Sequence, residues 1–190
     1  MSDPAPSPEP PPPNPAKPRK PPRPRWQRWL IDIGLVIGVL TVAQYWHRRN
    51  LTPADGRPAP QVTLHTLDGK PVTLADYRGK SLQLHFWATW CSVCKVEYGA
   101  LNALHDSLGD DQALLAIVAD GEDPAAIVRY AKEHDLRYPI LLGNREALEA
   151  FGVSSFPTNF WVTPDGTLTG QDVGMSTRWG MRARMSCAGD

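Results

Sequence analysis

Between residues 61 and 173, short stretches in which apolar residues recur at regular intervals predict a series of strands. The segments QVTLHTL and KPVTLADY alternate polar and apolar positions around Asp68-Gly69, a pair that favours tight turns, so they predict a β-hairpin. The runs SLQLHFWA and ALLAIVA are mostly apolar, which is typical of strands buried on both faces. Further strands are predicted for YPILL, NFWVT and TLTG.

Three other segments have helical spacing. The segment Cys91–Leu108 places apolar residues on one helical face, at Cys94, Leu101, Leu104 and Leu108. DPAAIVRYAKEHD begins with an Asp cap and a Pro at the first helical position, and Ser176–Ser186 predicts a last helix. Strands that alternate with helices predict an α/β domain: a mixed central sheet with flanking helices and an N-terminal β-hairpin extension.

A longer apolar run, Leu30–Trp46, precedes these elements and is interrupted only by Asp32, Thr41 and Gln44. Its length lies at the lower end of what spans a bilayer. Aromatic residues bracket the run as interfacial anchors would, at Trp26, Trp29, Tyr45 and Trp46. We therefore expect a single transmembrane helix over residues 29–47. Cleavage after Ala43 and a buried soluble helix are the alternatives.

Basic residues cluster before the apolar run, which predicts that the N-terminus stays in the cytoplasm and that the domain faces the other side. Proline dominates the first segment, so residues 1–28 are expected to form a disordered, basic tail. After the anchor, a linker over 48–60 would lead to one domain at 61–186. Residues 187–190 would form a C-terminal tail.

Composition narrows the classes of function. The formal net charge is zero, but after Leu51 acidic residues outnumber basic ones. A nucleic-acid-binding domain usually carries a basic face, so this class is disfavoured. The chain has three cysteines, too few for a disulfide scaffold, and an odd number cannot all pair within it.

Cys91 and Cys94 form a C-x-x-C pair directly behind the apolar run SLQLHFWA. A structural zinc site would need four ligands and no second pair is present, so no metal is expected there. A structural disulfide that closes so short a loop removes little chain entropy. Redox exchange is the main interpretation. At the junction of a strand and a helix, Cys91 would lie at the helix N-terminus, where amides favour the thiolate, and Cys94 would resolve the mixed disulfide.

The segments FWATWCSVCK and VSSFPTNFWVTPDGTL resemble the thioredoxin fold, over roughly residues 27–186. The sequence that leads into them is similar to the membrane-tethered branch with the cytochrome c maturation thioredoxins and the ResA- and TlpA-like proteins. The ending GMSTRWGMRARM resembles the family of suppressor of copper sensitivity protein D. By resemblance, Cys91 and Cys94 are the redox pair, Trp90 precedes it, Pro157 is the facing cis-proline, and Phe156 offers its backbone to an extended substrate.

This resemblance implies an enzyme, a thiol–disulfide oxidoreductase anchored in the bacterial inner membrane with its catalytic domain in the periplasm. It would reduce disulfides of envelope proteins, take electrons from a transmembrane thiol reductase, need no cofactor, and serve copper tolerance or cytochrome c maturation. Val93 and Gly99 replace the prolines of many relatives, which leaves the direction of electron flow open. The alternative is a module that binds Cu(I) through the same thiols. The cysteine pattern of peroxiredoxins is absent.

Two ionisable residues are candidates for moving the proton of Cys94. Glu97 lies on the same helical face and matches a glutamate of the branch; the alternative is a solvated helix residue. His85 occupies the position where thioredoxins hold a buried aspartate, and strand alternation places it on the side of Trp87. The alternative for His85 is a core histidine with a hydrogen bond to the backbone.

Methionine recurs in the last predicted helix and just before it, at Met175, Met181 and Met185, next to Cys187. Soft sulfur ligands suit Cu(I), but methionines at helical spacing usually pack in a core. Packing is therefore the main interpretation, and Cys187 is expected to be a free thiol.

Overall fold

A computed structural model describes residues 25–49, 51–121 and 123–189. Most of the predicted disordered tail, residues 1–24, lies outside the described residues. The chain divides into two compact units, residues 1–40 and residues 41–190. The second unit contains the sheet and both cysteines of the C-x-x-C pair.

Helix α1 spans Arg25–Arg49 and contains the apolar run. Within the described residues, no helix is both long and apolar enough to cross a membrane. The transmembrane anchor expected over residues 29–47 is therefore not confirmed. The large apolar side chains described in α1, such as Leu35 and Val39, are exposed.

Seven strands form one mixed sheet in the described part of the domain, in the order β2-β1-β5-β4-β3-β6-β7. Strand β3 is parallel to β4, and β4 is parallel to β5, while every other neighbouring pair is antiparallel. The strands are β1 Thr63–Thr66, β2 Pro71–Thr73, β3 Ser81–Trp87, β4 Gln112–Val118, β5 Ile140–Leu142, β6 Thr158–Val162 and β7 Leu168–Val173. The predicted mixed sheet and its N-terminal hairpin are confirmed.

Strand β3 lies inside the sheet and all seven of its residues are buried. Its side chains alternate between two apolar clusters. Leu84 and Phe86 lie in one cluster with residues 147 and 151, and Trp87 lies in the other with residues 98, 181 and 185. The cluster around Trp87 also contains Cys91 and Cys94. The redox pair therefore lies at the end of a strand that is fixed on both faces.

The helices of the domain are α2 Ser92–His105, α3 Pro124–Glu133, α4 Arg145–Phe151 and α5 Arg178–Cys187, and a 3-10 turn covers Leu74–Tyr77. Asp123 caps α3 and Pro124 occupies its first turn, as predicted. Helix α4 was not predicted, because seven residues are too few for a clear apolar period. The residues at its ends are nevertheless typical of a helix, since Asn144 caps its start and Gly152 ends it with φ 65°.

The segment that the sequence assigned to a linker packs against the domain. Leu51 and Ala59 are buried. The backbone N–H of Thr52 donates to the carbonyl oxygen of Phe151 at 3.0 Å, and that of Ala59 donates to Gly166 at 2.9 Å. Residues 51–59 therefore belong to the folded domain, because they bury two apolar side chains and satisfy their backbone groups there.

Candidate active site

Cys91 and Cys94 form a disulfide, with their Cα atoms 5.3 Å apart. Cys94 is completely buried, whereas Cys91 retains 6% of its accessible surface. A partner sulfur can therefore reach Cys91 but not Cys94 without movement of the protein. This difference agrees with the predicted order of attack, in which Cys91 reacts first.

Cys91 is the N-cap residue of α2, and its Sγ accepts the backbone N–H of Cys94 at 3.1 Å. The first amides of a helix have no partner within the helix, and the helix dipole places partial positive charge at the same end. A thiolate at Cys91 would accept the same N–H more strongly than a thiol does. The fold therefore provides the electrostatic setting of a nucleophilic cysteine.

A second loop lies beside the cysteines. The Phe156–Pro157 peptide bond is cis, which is the geometry that the resemblance implied. The ring of Phe156 packs edge-on against Trp90, with the centroids 5.7 Å apart. Trp90 is 70% exposed. The two loops therefore present adjoining aromatic and backbone surface next to the reactive sulfur.

The loop that leads into Cys91 is clamped by residues that sequence reasoning missed. Thr89 donates its backbone N–H to Asp120 at 3.0 Å, and its hydroxyl donates to the same carboxylate. Tyr130 donates its hydroxyl to the carbonyl oxygen of Thr89 at 3.0 Å and also bonds Tyr98. Asp120 follows β4 at the carboxyl ends of the parallel strands. Functional side chains are common there, so its position in the sequence already indicated a candidate site residue.

Glu97 is only 1% exposed, so it is not the solvated helix residue of the alternative interpretation. Its Oε1 accepts the backbone N–H of Ser176, and its Oε2 has no hydrogen-bond partner in the protein. Burial raises the pKa of Glu97 to about 7, the Ser176 bond opposes this rise, and the charge of Asp172 adds to it. The carboxyl group one turn from Cys94 therefore exchanges protons near neutral pH.

His85 is fully buried, and its Nδ1 lies 2.9 Å from Asn159 Oδ1. Asn159 Oδ1 also accepts from Gln83 Nε2 at 3.0 Å, so His85 carries its proton on Nδ1 and donates it. Burial lowers the pKa of His85 to about 4, against the opposing effect of the Asn159 bond. The structure thus makes His85 a neutral core histidine, held by a side chain rather than by the backbone.

The methionines do not gather into one site. Met181 and Met185 are buried in the cluster under α5, which supports packing, while Met175 is exposed. Cys187 is an exposed free cysteine. Within the described residues, no group of three or more His, Cys, Asp or Glu side chains is placed to hold a metal ion.

The model of the AhpC/TSA family matches residues 56–171. The chain belongs to this family. It is 30% identical over 165 residues to the thioredoxin-like protein YneN of Bacillus subtilis, covering 84% of this chain and 97% of the relative. It is 31% identical over 125 residues to the thiol-disulfide oxidoreductase ResA of Bacillus thuringiensis, covering 65% of this chain and 72% of the relative.

Solved structures of thioredoxin-family proteins also superpose on this chain. A thiol:disulfide interchange protein of the thioredoxin family from Chlorobium tepidum superposes with a TM-score of 0.63 at 26% identity, covering 72% of this chain and 99% of that one. The exposed lipoprotein thioredoxin Etrx1 of Streptococcus pneumoniae superposes with a TM-score of 0.60 at 28% identity, covering 67% and 98%. With the Cys91–Cys94 pair in place, the chain is a disulfide oxidoreductase of thioredoxin-like fold. The particular likeness to the copper-sensitivity family is not shown by these relatives.

Glu97→Gln is expected to change how stability depends on pH. Because the pKa of Glu97 is raised from 4.5 to about 7, the folded state holds more protons than the unfolded state between these values. The free energy of unfolding of the wild type therefore falls by about 3 kcal/mol from this group as the pH rises through that window. The variant lacks this contribution. Chemical denaturation of the oxidised protein at several pH values measures it.

The matched control is Glu149→Gln, at an exposed glutamate of α4. The difference in unfolding free energy between wild type and Glu149→Gln is expected to stay constant with pH over the same window. A constant difference for Glu97→Gln as well would contradict the raised pKa. Taking differences from the wild type removes the opposite contribution of His85, whose lowered pKa makes stability rise with pH between about 4 and 6.5.

Proposed function

We propose that the protein reduces disulfides of envelope proteins outside the cytoplasm, with Cys91 as the nucleophile and Cys94 as the resolving thiol. The observation that carries this proposal is the position of Cys91 as the cap of α2, where its sulfur accepts the Cys94 N–H. The printed names of relatives, thiol-disulfide oxidoreductase and thiol:disulfide interchange protein, support the same chemistry.

In the first step, the Cys91 thiolate attacks one sulfur of a substrate disulfide. A bond forms between Cys91 Sγ and that sulfur, the substrate disulfide breaks, and the other substrate sulfur leaves as a thiolate that takes a proton from water. The N–H of Cys94 and the start of α2 stabilise the attacking thiolate. The product is a mixed disulfide between Cys91 and the substrate.

In the second step, Cys94 attacks Cys91 Sγ and releases the second substrate thiolate. Its thiol must first lose a proton, and Glu97 lies one helical turn away on the same face. Above about pH 7 the Glu97 carboxylate is ionised and accepts this proton. The protein ends with the Cys91–Cys94 disulfide, and two electrons have passed to the substrate. A membrane dithiol donor would restore the reduced pair.

The surroundings of Cys91 favour a polypeptide substrate over a small thiol. Large apolar side chains are exposed around the first turns of α2 and at the start of α5, namely Trp90, Val93, Val96, Met175 and Trp179. Exposed apolar patches on monomeric proteins mark sites of protein interaction. The Phe156–Pro157 loop adjoins this surface through Trp90. An extended segment on either side of the substrate cysteine would cover these side chains.

We further propose that the N-terminal segment stays in the cytoplasm and that α1 holds the enzyme at the inner membrane. Support comes from the basic residues before Leu30 and from the exposed apolar side chains of α1. Cytochrome c maturation and copper tolerance are the processes that the resemblance suggests. For Cu(I) binding, no group of three or more His, Cys, Asp or Glu side chains is present among the described residues, so this alternative rests on Cys91 and Cys94.

Trapping with single-cysteine variants tests the proposed roles. In a Cys187→Ser background, which removes the exposed third thiol, Cys94→Ala is expected to accumulate a mixed disulfide with substrate, because the resolving thiol is gone. Cys91→Ala is expected to trap nothing, because Cys94 is buried. Non-reducing electrophoresis of cells that express each variant measures the adducts. Equal trapping by both variants would refute the assignment.

The pH dependence of mixed-disulfide release distinguishes Glu97 from His85. In the wild type the release rate is expected to rise with pH through an inflection near 7, where Glu97 becomes a carboxylate. Glu97→Gln is expected to slow release about tenfold or more at pH 8 and to remove the inflection. His85→Leu is expected to keep it, because the pKa of His85 is about 4. Stopped-flow measurement of peptide release from Cys91 gives the rate and its pH inflection for each variant. Loss of the inflection in His85→Leu but not in Glu97→Gln would reverse the assignment.

Reporter fusions test the topology. Alkaline phosphatase joined after Asp190 is expected to be active, because this enzyme folds only outside the cytoplasm, and a cytoplasmic reporter at the same position is expected to be inactive. Truncation before Leu51 removes α1 but keeps the folded domain and is the matched control, with both activities expected to reverse. An active cytoplasmic reporter on the full chain would place the domain in the cytoplasm.

A further inference from the structure

The segment between β7 and α5 contacts two parts of the active site. The backbone N–H of Gly174 donates to the carbonyl oxygen of Pro157 at 2.8 Å. Two residues later, the backbone N–H of Ser176 donates to Glu97 Oε1. Gly174 has φ +95°, a conformation that glycine adopts without strain, so the turn between the two contacts needs glycine. One short segment therefore connects the cis-proline loop to the buried carboxyl group.

Asp172 fixes this segment. Its Oδ2 accepts from Ser176 Oγ at 3.2 Å and from Arg184 Nη1 at 2.6 Å. The Arg184 guanidinium lies over the ring of Trp161, 4.8 Å from its centroid, which holds the arginine against the sheet. Residues of β7 and α5 thus hold Ser176, which in turn donates to Glu97.

We propose that Asp172 is a positioning residue for Glu97: together with Arg184 it holds Ser176 so that the Ser176 N–H stays directed at the Glu97 carboxyl group, and the Asp172–Arg184 pair places its two charges beside that group. The inference rests on the proposed role of Glu97 as the proton carrier and extends it to the last strand and the last helix. Neither Asp172 nor Arg184 was singled out by the sequence, because their link to Glu97 runs through Ser176, which lies 79 residues from Glu97 along the chain.

The charge of Asp172 also acts on Glu97. Burial is the main cause of the raised pKa of Glu97, and the Asp172 carboxylate raises it further. Tyr138, before β5, interacts with Glu97 but stays protonated because burial raises its own pKa. Arg184 is the cation that pairs with Asp172. Removing the charge of Asp172 should therefore lower the midpoint of the Glu97 titration, and removing the charge of Arg184 should raise it.

Two substitutions test the inference. Asp172→Asn keeps an oxygen that can accept from Ser176 but loses the negative charge, so Glu97 is expected to titrate at least about 0.3 pH unit lower. Arg184→Gln removes the positive charge of Arg184 next to Asp172, so Glu97 is expected to titrate higher by a similar amount. Arg184→Lys keeps the cation and is expected to restore most of the wild-type midpoint. Carbon-13 NMR of the Glu97 carboxyl in the oxidised protein measures the midpoints.

The ion pair between Arg137 and Asp106 provides a matched control, with the same 2.6 Å separation at the far end of α2. Asp106→Asn and Arg137→Gln are expected to leave the Glu97 titration unchanged. Shifts of the same sign in Asp172→Asn and Arg184→Gln, or no shift in either, would overturn the inference. If the NMR midpoints move as expected while release of the mixed disulfide keeps its wild-type pH profile, the inference stands and the proton-carrier role of Glu97 fails instead.

Discussion

The capping of α2 by Cys91 is the interaction on which the active site depends. The sulfur can accept the Cys94 N–H because β3 ends at Trp87 and α2 begins at Ser92, so the cysteine falls on the cap itself. Strand β3 is held by β4 on one side and by β6 on the other. Thr89, in the intervening loop, is tied to Asp120. The Cys94 N–H, which favours a thiolate at Cys91, is therefore in place while the cysteines are still oxidised. Reduction of the disulfide does not require α2 to begin at a different residue.

Two ionisable side chains are buried near the cysteines, and burial acts on them in opposite directions. It keeps Glu97 protonated up to about pH 7 and keeps His85 neutral down to about pH 4. Only Glu97 therefore changes its charge in the range where thiols of ordinary pKa begin to ionise. His85 serves the core instead: with Asn159 and Gln83 it forms a short hydrogen-bonded chain across β3 and β6.

Most of the fold could be predicted from the sequence, because the central strands and longer helices bury complete apolar faces and so have a clear period. The N-terminal hairpin was recognisable from Asp68-Gly69, which lies between β1 and β2. Helix α4 is too short to show an apolar period, and the proline and glycine of residues 51–59 predict a linker although Leu51 is buried. The cysteines were identifiable from local spacing. The partners of Glu97 were not, since Ser176 lies 79 residues away.

The topology of the sheet explains why a C-terminal segment reaches the cysteines. Strand β3 ends at the active site; β6 is antiparallel to it and starts there, with Thr158 opposite Phe86. Strand β7 is antiparallel to β6, so it returns to the same edge and ends with Val173 opposite Thr158. Three chain segments, before Cys91, around the cis-proline and after β7, therefore meet at one edge although they are distant in sequence. Since Gly174 bonds Pro157 and Ser176 bonds Glu97, the segment after β7 connects the cis-proline loop directly to the carboxyl group that we propose as the proton acceptor.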